Sequence, residues 1–428
     1  MALIFSEAFE STLVAAFWPP AQRSGSLNFV SFGRTNNMLS LPASNETNVS
    51  ANDNSFVTLN FAPIATQTNK KLFLGFAARD FKTKAGSSDG SVTARQNFLR
   101  LLDADGAPAV TMAFEKNSGT EAFFLLTVLD SADAPVATYV LSNIIATRHI
   151  VGACNASIET SNTLHQTDGT RWYYFEFEFD LSAATPTVKL WINSTRITTT
   201  DNANQIEIPD LTAISGIQLH GNRLTTCRDN TSIGRSTQFD DLYVSDNLPE
   251  SYNPQTATRL ITRLGPAKIY TSTFSDTGAK TTNWTAVNTS SGSPFFDVLN
   301  VEDGNDKYAA SNLLGAELVT RFNGPASIAS FERIAAVQMI YSAAAAGSLP
   351  AALIPVIDNN TSGSTGVPIE AAATVFEPDS GFVTKIVTAQ TDPIADPPTA
   401  FTATSLTSTV STNAGRRIGL RVAAVPES

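Results

Sequence analysis

The chain has 428 residues, more than the roughly 250–300 at which a single hydrophobic core stops growing, so two domains are expected. Charged residues make up 16% of it and the formal net charge is −11, which leaves a hydroxyl- and amide-rich surface without the clustered Lys and Arg that nucleic acid requires. Nucleic acid is therefore excluded as an expected partner. Met1–Glu10 has no basic n-region and carries Glu7 and Glu10 where a secretory signal would be apolar, so no such signal is read there. Two cysteines, Cys154 and Cys227, make no disulfide framework and are expected as free thiols.

In chain order, the first strong strand signals are Phe56-Val-Thr-Leu-Asn-Phe61 and Leu72-Phe-Leu-Gly-Phe76, short apolar blocks bounded by turn residues. Two stretches then look alike. Leu101-Leu-Asp-Ala-Asp-Gly-Ala-Pro-Ala-Val110 and Val128-Leu-Asp-Ser-Ala-Asp-Ala-Pro-Val-Ala137 each set an Asp-containing turn between apolar runs, and both read as hairpins. The clearest strand is Trp172-Tyr-Tyr-Phe-Glu-Phe-Glu-Phe-Asp180. Its alternation puts Phe175, Phe177 and Phe179 on a core face and Glu176, Glu178 and Asp180 on a face expected to be wet. Thr187–Thr195 and Gln238–Asp246 follow as further strands.

The stretch Asn247-Leu-Pro-Glu-Ser-Tyr-Asn-Pro254 carries two prolines that a central strand does not tolerate, so residues 249–258 are read as a linker between domains 1–248 and 259–428. Beyond it, strand-sized blocks recur at 259–264, 335–341, 353–357 and 418–422. The most apolar window, 334–357, is broken by Gln338, Gly347, Pro350 and Pro355. It is expected as two buried strands and a loop, with no membrane span. Many short antiparallel strands and no long helix make the chain all-β, with two β-sandwich domains.

The order of several pieces resembles a known arrangement. Phe5-Ser-Glu-Ala-Phe9, Phe32–Leu39, the Trp172 strand with its hairpin, and Phe239-Asp-Asp-Leu-Tyr-Val244 resemble the concanavalin A-like, laminin-G-like jelly roll of bacteriophage structural proteins. Arg259–Leu264, Asn283-Trp-Thr285, Val301-Glu-Asp-Gly304, Ala335-Ala-Val-Gln338 and Gly419-Leu-Arg-Val422 resemble the domain that follows it in phage tail and virion proteins. The second half departs at Phe274–Gly278, which is more polar than usual, and at Ala400–Ala403, where a Trp is common.

The resemblance implies a non-enzymatic structural component of a phage virion: tail, fibre or capsid decoration. Its expected partners are other virion proteins, further copies of itself with a trimer the first expectation, and a host-surface glycan. The rival readings are a glycan depolymerase and a free carbohydrate-binding lectin.

For the depolymerase, the candidates are Glu176, Glu178 and Asp180. Strand residues two apart stand about 6.6 Å apart, which permits an acid pair without specifying one. For sugar stacking the candidates are Trp172, Tyr174, Trp191 and Tyr243. Asp103-Ala-Asp-Gly106 opens like a calcium loop, yet position twelve is Phe114 and the match fails. A looser Ca²⁺ site using Asp103, Asp105, Asp240 or Asp241 stays open, because lectin-like sandwiches often hold calcium at a loop rim; no other cofactor is indicated. Gly86-Ser-Ser-Asp-Gly90 has the spelling of a nucleophile elbow, but no helix follows Ser88 and nothing brings His149, His165 or His220 to it.

Overall fold

A computed structural model describes residues 3–7, 9, 23–24, 28–31, 37–42, 56–67, 71–79, 94–116, 122–130, 132–141, 172–199, 203–220, 236–246, 269, 274–281, 283–287, 308–322, 336–358, 365–370, 372–378, 381–389, 391–392, 399–400 and 417–426. The chain divides into two compact units, Met1–Asn253 with Thr258–Ile269, and Pro254–Ala257 with Tyr270–Ser428. The described secondary structure is all strand, and no described helix is long and apolar enough to cross a membrane. Several sequence readings lie outside the described residues: Phe32, the Gly86–Gly90 stretch, His149, His165, Cys154, Cys227, the linker 249–258, Arg259–Leu264 and Val301–Gly304.

The first unit holds β1 (Leu3–Glu7), β2 (Arg23–Ser24), β3 (Asn28–Ser31), β4 (Asn37–Pro42), β5 (Phe56–Ala65), β6 (Lys71–Arg79), β7 (Ala94–Leu102) and β8 (Pro108–Lys116). It continues with β9 (Ala122–Leu129), β10 (Pro135–Val140), β11 (Tyr173–Asp180), β12 (Thr187–Ile192), β13 (Thr195–Ile197), β14 (Ile206–Glu207), β15 (Ala213–His220) and β16 (Ser236–Asp246). A nine-stranded sheet runs β13-β12-β11-β6-β16-β4-β3, with β1 on β16 and β14 on β12. A seven-stranded sheet runs β10-β9-β8-β7-β15-β5-β2. All these pairings are antiparallel, and the two sheets form a lectin-like jelly-roll sandwich.

Phenylalanine fills the space between them. Phe76 of the nine-stranded sheet has ring centroids 5.3 Å from Phe175, 6.0 Å from Phe239 and 6.4 Å from Phe98 of the other sheet. Phe124 stands edge-on to Phe175 at 5.2 Å. Each such fully buried ring contributes on the order of 2–3 kcal/mol by area alone, with edge-to-face pairs adding to that.

The two look-alike stretches are the β7–β8 and β9–β10 hairpins, and they share one turn. Asp103 Oδ1 accepts from the amides of Asp105 and Ala107, and Asp130 Oδ1 accepts from Ala132 and Ala134, all at 2.9 Å. The residue with positive φ is Gly106 in the first (81°) and Asp133 in the second (61°), a conformation Gly takes freely and Asp takes at a cost.

The second unit holds β17 (Phe274–Thr281), β18 (Thr285–Val287), β19 (Tyr308–Ala310), β20 (Glu317–Phe322), β21 (Val337–Ala343) and β22 (Ala351–Asp358). Then come β23 (Val367–Pro368), β24 (Thr374–Phe376), β25 (Val383–Ala389), β26 (Thr391–Asp392), β27 (Thr399–Ala400) and β28 (Arg417–Ala423). Its main sheet runs β17-β20-β28-β22-β23 with β24 also on β22, and the β21–β25 pair packs on it through Met339, Tyr341, Val387, Leu353, Ile357 and Ile418. The apolar window thus forms two strands, β21 and β22, with the exposed Leu349 between them. A buried bidentate pair, Arg417 Nε to Asp358 Oδ1 at 2.7 Å and Nη2 to Oδ2 at 2.9 Å, joins β28 to β22.

Candidate functional site

The acidic ladder lies on the outward face of the nine-stranded sheet, because its intervening Phe175, Phe177 and Phe179 fill the space between the sheets. This face is not wet: Glu176 is 0% and Glu178 3% exposed, so the expected one-sided strand is corrected to one buried on both faces. Burial is tolerated because the charges are matched, as a buried carboxylate must be. Glu178 Oε1 takes Lys71 Nζ at 2.9 Å and Lys189 Nζ at 3.2 Å, from the strands on either side. Lys71 also reaches Asp180 at 3.5 Å.

Burial pushes the Lys71 ammonium pKa down, but Glu178 and Asp180 more than offset it and hold the pKa above the ordinary value. For Asp180, burial pushes up while Ser182 and Lys71 pull harder, leaving its carboxyl below the usual range. Tyr243 crosses the sheet to Glu176, its hydroxyl donating to Oε1 at 3.3 Å. It can do so only because Gly75 lies beneath the ring, where a Cβ would stand 2.1 Å from Tyr243 Cε1.

The aromatic candidates are placed as follows. Trp172, Tyr174 and Tyr243 are buried in one cluster with Phe73 and Ala77, against which Ile269 packs. Trp191 is half-buried, with the Arg196 guanidinium 4.4 Å over its ring, a cation–π contact that occupies that face. Trp172, Tyr174 and Tyr243 offer no open ring.

The four aspartates divide between the two sheets. Asp103 is consumed by its turn, while Asp105 is exposed beside it. Asp240 accepts from the Asp241 amide at 2.8 Å, and Asp241 from the Ile269 amide at 2.7 Å. Both are fully buried. Asp241 has φ 50° and marks a bulge in the β16–β6 register. The extra residue resets the alternation, so Tyr243 opposes Gly75 on the outward face while Phe239 points between the sheets. Among the described residues, no three His, Cys, Asp or Glu side chains converge as a metal site.

The seven-stranded sheet shows a different outward face. Leu126 lines the space between the sheets with Val188 and Leu190, so its neighbour Thr127 points outward. Strand register then carries one row across six strands: Thr138, Thr127, Thr111, Arg100, Gln218 and Thr58. Thr127 and Thr138 hydroxyls lie 3.2 Å apart, and Gln218 Nε2 donates to Thr58 Oγ1 at 2.8 Å. His220 Nε2 meets the Gln218 carbonyl oxygen, and Phe56 stands beside its ring. Burial, helped by the Arg100 charge, pushes the His220 pKa down to about 3, so the imidazole is neutral. Sequence reading missed this row because each member is an ordinary polar residue on its own strand. The only local signal was Gln218 and His220 sharing a face two residues apart.

No protein-family model matches the chain, and no curated protein matches it. Solved structures do share the sandwich. An endo-β-1,4-glucuronan lyase from the fungus Trichoderma reesei is 11% identical over 57% of this chain and 95% of its own, with a TM-score of 0.34. The CBM2 module of the evolved Dit of Lactobacillus casei BL23 phage J-1 is 11% identical over 57% and 94%, TM-score 0.31. Lectin I-B4 of Griffonia simplicifolia is 13% identical over 57% and 100%, TM-score 0.26. The expectation of a non-enzymatic chain is corrected by these similarities: enzymes that cleave glycans stand among the structures found, so the architecture gives no ground for excluding catalysis. In fold, the chain is similar to concanavalin A-like and lectin-like sandwich proteins.

Proposed function

We propose that the front sandwich is a glycan-recognition module carried by a bacteriophage particle, as part of its tail, a fibre or a capsid decoration. The observation that carries the glycan reading is the outward row of the seven-stranded sheet: four threonine hydroxyls, one amide and one guanidinium in register across six strands. Within the row Thr127, Thr111 and Thr58 are buried, while Thr138, Arg100 and Gln218 reach the surface; these three polar groups suit a ligand studded with hydroxyl groups. The placement in a particle assembled in a bacterial host rests on the order of sequence pieces in both halves, and so do the partners: other virion proteins and further copies of the chain, a trimer first.

The test is a glycan array probed with the full chain, with light scattering and sugar release measured on the same sample. Retention of a defined glycan that falls at least tenfold for Gln218→Ala is expected. Failure to retain any glycan would remove the recognition reading. Antibody labelling of purified phage particles tests the placement, and an unlabelled particle would remove it. Sugar release would add cleavage to binding at the same face.

A further inference from the structure

Arg100 stands at the centre of the row, between Gln218 and Thr111. Its Nε is buried and has no hydrogen-bonding partner. Among the described residues no carboxylate pairs with its guanidinium, although the chain as a whole carries a net charge of −11, whereas Glu178 of the opposite sheet is held by two lysines. An unpaired cation in a half-buried position has lost part of its hydration, and an arriving anion would compensate it. On the same strand, Asn97 Oδ1 is also buried without a partner. The two do not satisfy each other. The β7–β8 register shifts between Asn97 and Leu99, and this bulge aims both side chains outward.

The neighbours are arranged so that Arg100 remains the sole cation of the group. Gln218 donates to Thr58, and its side-chain carbonyl oxygen meets His220 Nε2, which fixes the amide. His220 is buried and neutral near neutral pH. An arginine fork takes a carboxylate through two parallel N–H donors, which a lysine cannot do. A sugar carboxylate would meet the terminal nitrogens of the half-buried Arg100 fork, its buried Nε staying inside.

We infer that Arg100 is the carboxylate anchor of this face, receiving the acid group of a uronic-acid sugar. The inference rests on the glycan-recognition reading above and names its ligand class.

The experiment is calorimetric titration of the full chain with oligogalacturonate, oligoglucuronate and oligomannuronate, each alongside its carboxyl-reduced neutral form. At least one acidic oligosaccharide is expected to bind at least tenfold more tightly than its reduced form, with the preference shrinking as salt is raised. Arg100→Gln should abolish the preference, and Arg100→Lys should retain only part of it. Thermal melts of each variant within a few degrees of the parent keep the result a statement about binding. Equal affinity for acidic and reduced forms, or a preference untouched in Arg100→Gln, would overturn the carboxylate anchor and leave glycan recognition standing. Binding of neither form, with no glycan retained on the array, would overturn both.

Discussion

The two outward faces of the front sandwich carry charge in opposite ways. On the nine-stranded sheet, Glu178 is held between Lys71 and Lys189, and Glu176 accepts from Tyr243. On the seven-stranded sheet, the Arg100 guanidinium stands among threonines, an amide and a neutral imidazole with its Nε unsatisfied. The ladder is the louder feature in the sequence, yet its charges are spent within the fold. A matched buried charge stabilises a sheet; an unmatched one points to something outside it.

The same operation on the two faces should therefore give opposite results. Glu178→Ala strands two lysines over a buried position and should cost about 3 kcal/mol, the low end for breaking a buried pair, since half-exposed ammonium groups can turn to water. Urea denaturation measures this. Gly75→Ala should cost about 2 kcal/mol by forcing the Tyr243 ring off the sheet; it also breaks the contact to Glu176 and should lower the denaturation midpoint without changing the slope.

The pH dependence reports on the other face. Unfolded histidine takes its proton near pH 6.5, while folded His220 resists to about 3. Between these values the unfolded chain binds the extra proton, so stability falls as pH falls through that window and is unaffected by this group above it. About 1–2 kcal/mol should be lost between pH 7 and pH 5, and His220→Phe should flatten that part of the profile. The smallest change should come from Arg100→Gln: without ligand, stability should be unchanged or rise by up to about 1 kcal/mol, because the desolvation cost of an unpaired cation disappears. A loss comparable to that of Glu178→Ala would mean that the guanidinium is matched after all, and the contrast between the faces would fail.

A finer comparison lies in the paired hairpins. Both turns are closed by an aspartate carboxylate, but one puts Gly106 and the other Asp133 at positive φ. Asp133→Gly should gain a few tenths of a kcal/mol, detectable as a small rise in melting temperature.

Much of this architecture was legible in the residues. Alternating and blocked apolar runs gave the strands, and Asp103 and Asp130 with their following turn residues gave two hairpins, because strand period and turn chemistry are local properties. The phenylalanines of β11 declared their core face for the same reason. Local pattern could not say that the opposite face is also buried, since Lys71 comes from a strand 107 positions away. Nor could it place Tyr243, whose side is set by the bulge at Asp241. The row through Arg100 joins residues from position 58 to position 218; each is unremarkable in sequence, and only strand register makes them neighbours.

The residues by themselves determined an all-β chain with phenylalanine-rich strands and a composition poor in charge, because burial of apolar side chains follows a short period that any segment displays. Which charges are neutralised and which is left open was decided by the tertiary structure alone, because electrostatic matching depends on distances across strands that the order of residues does not contain.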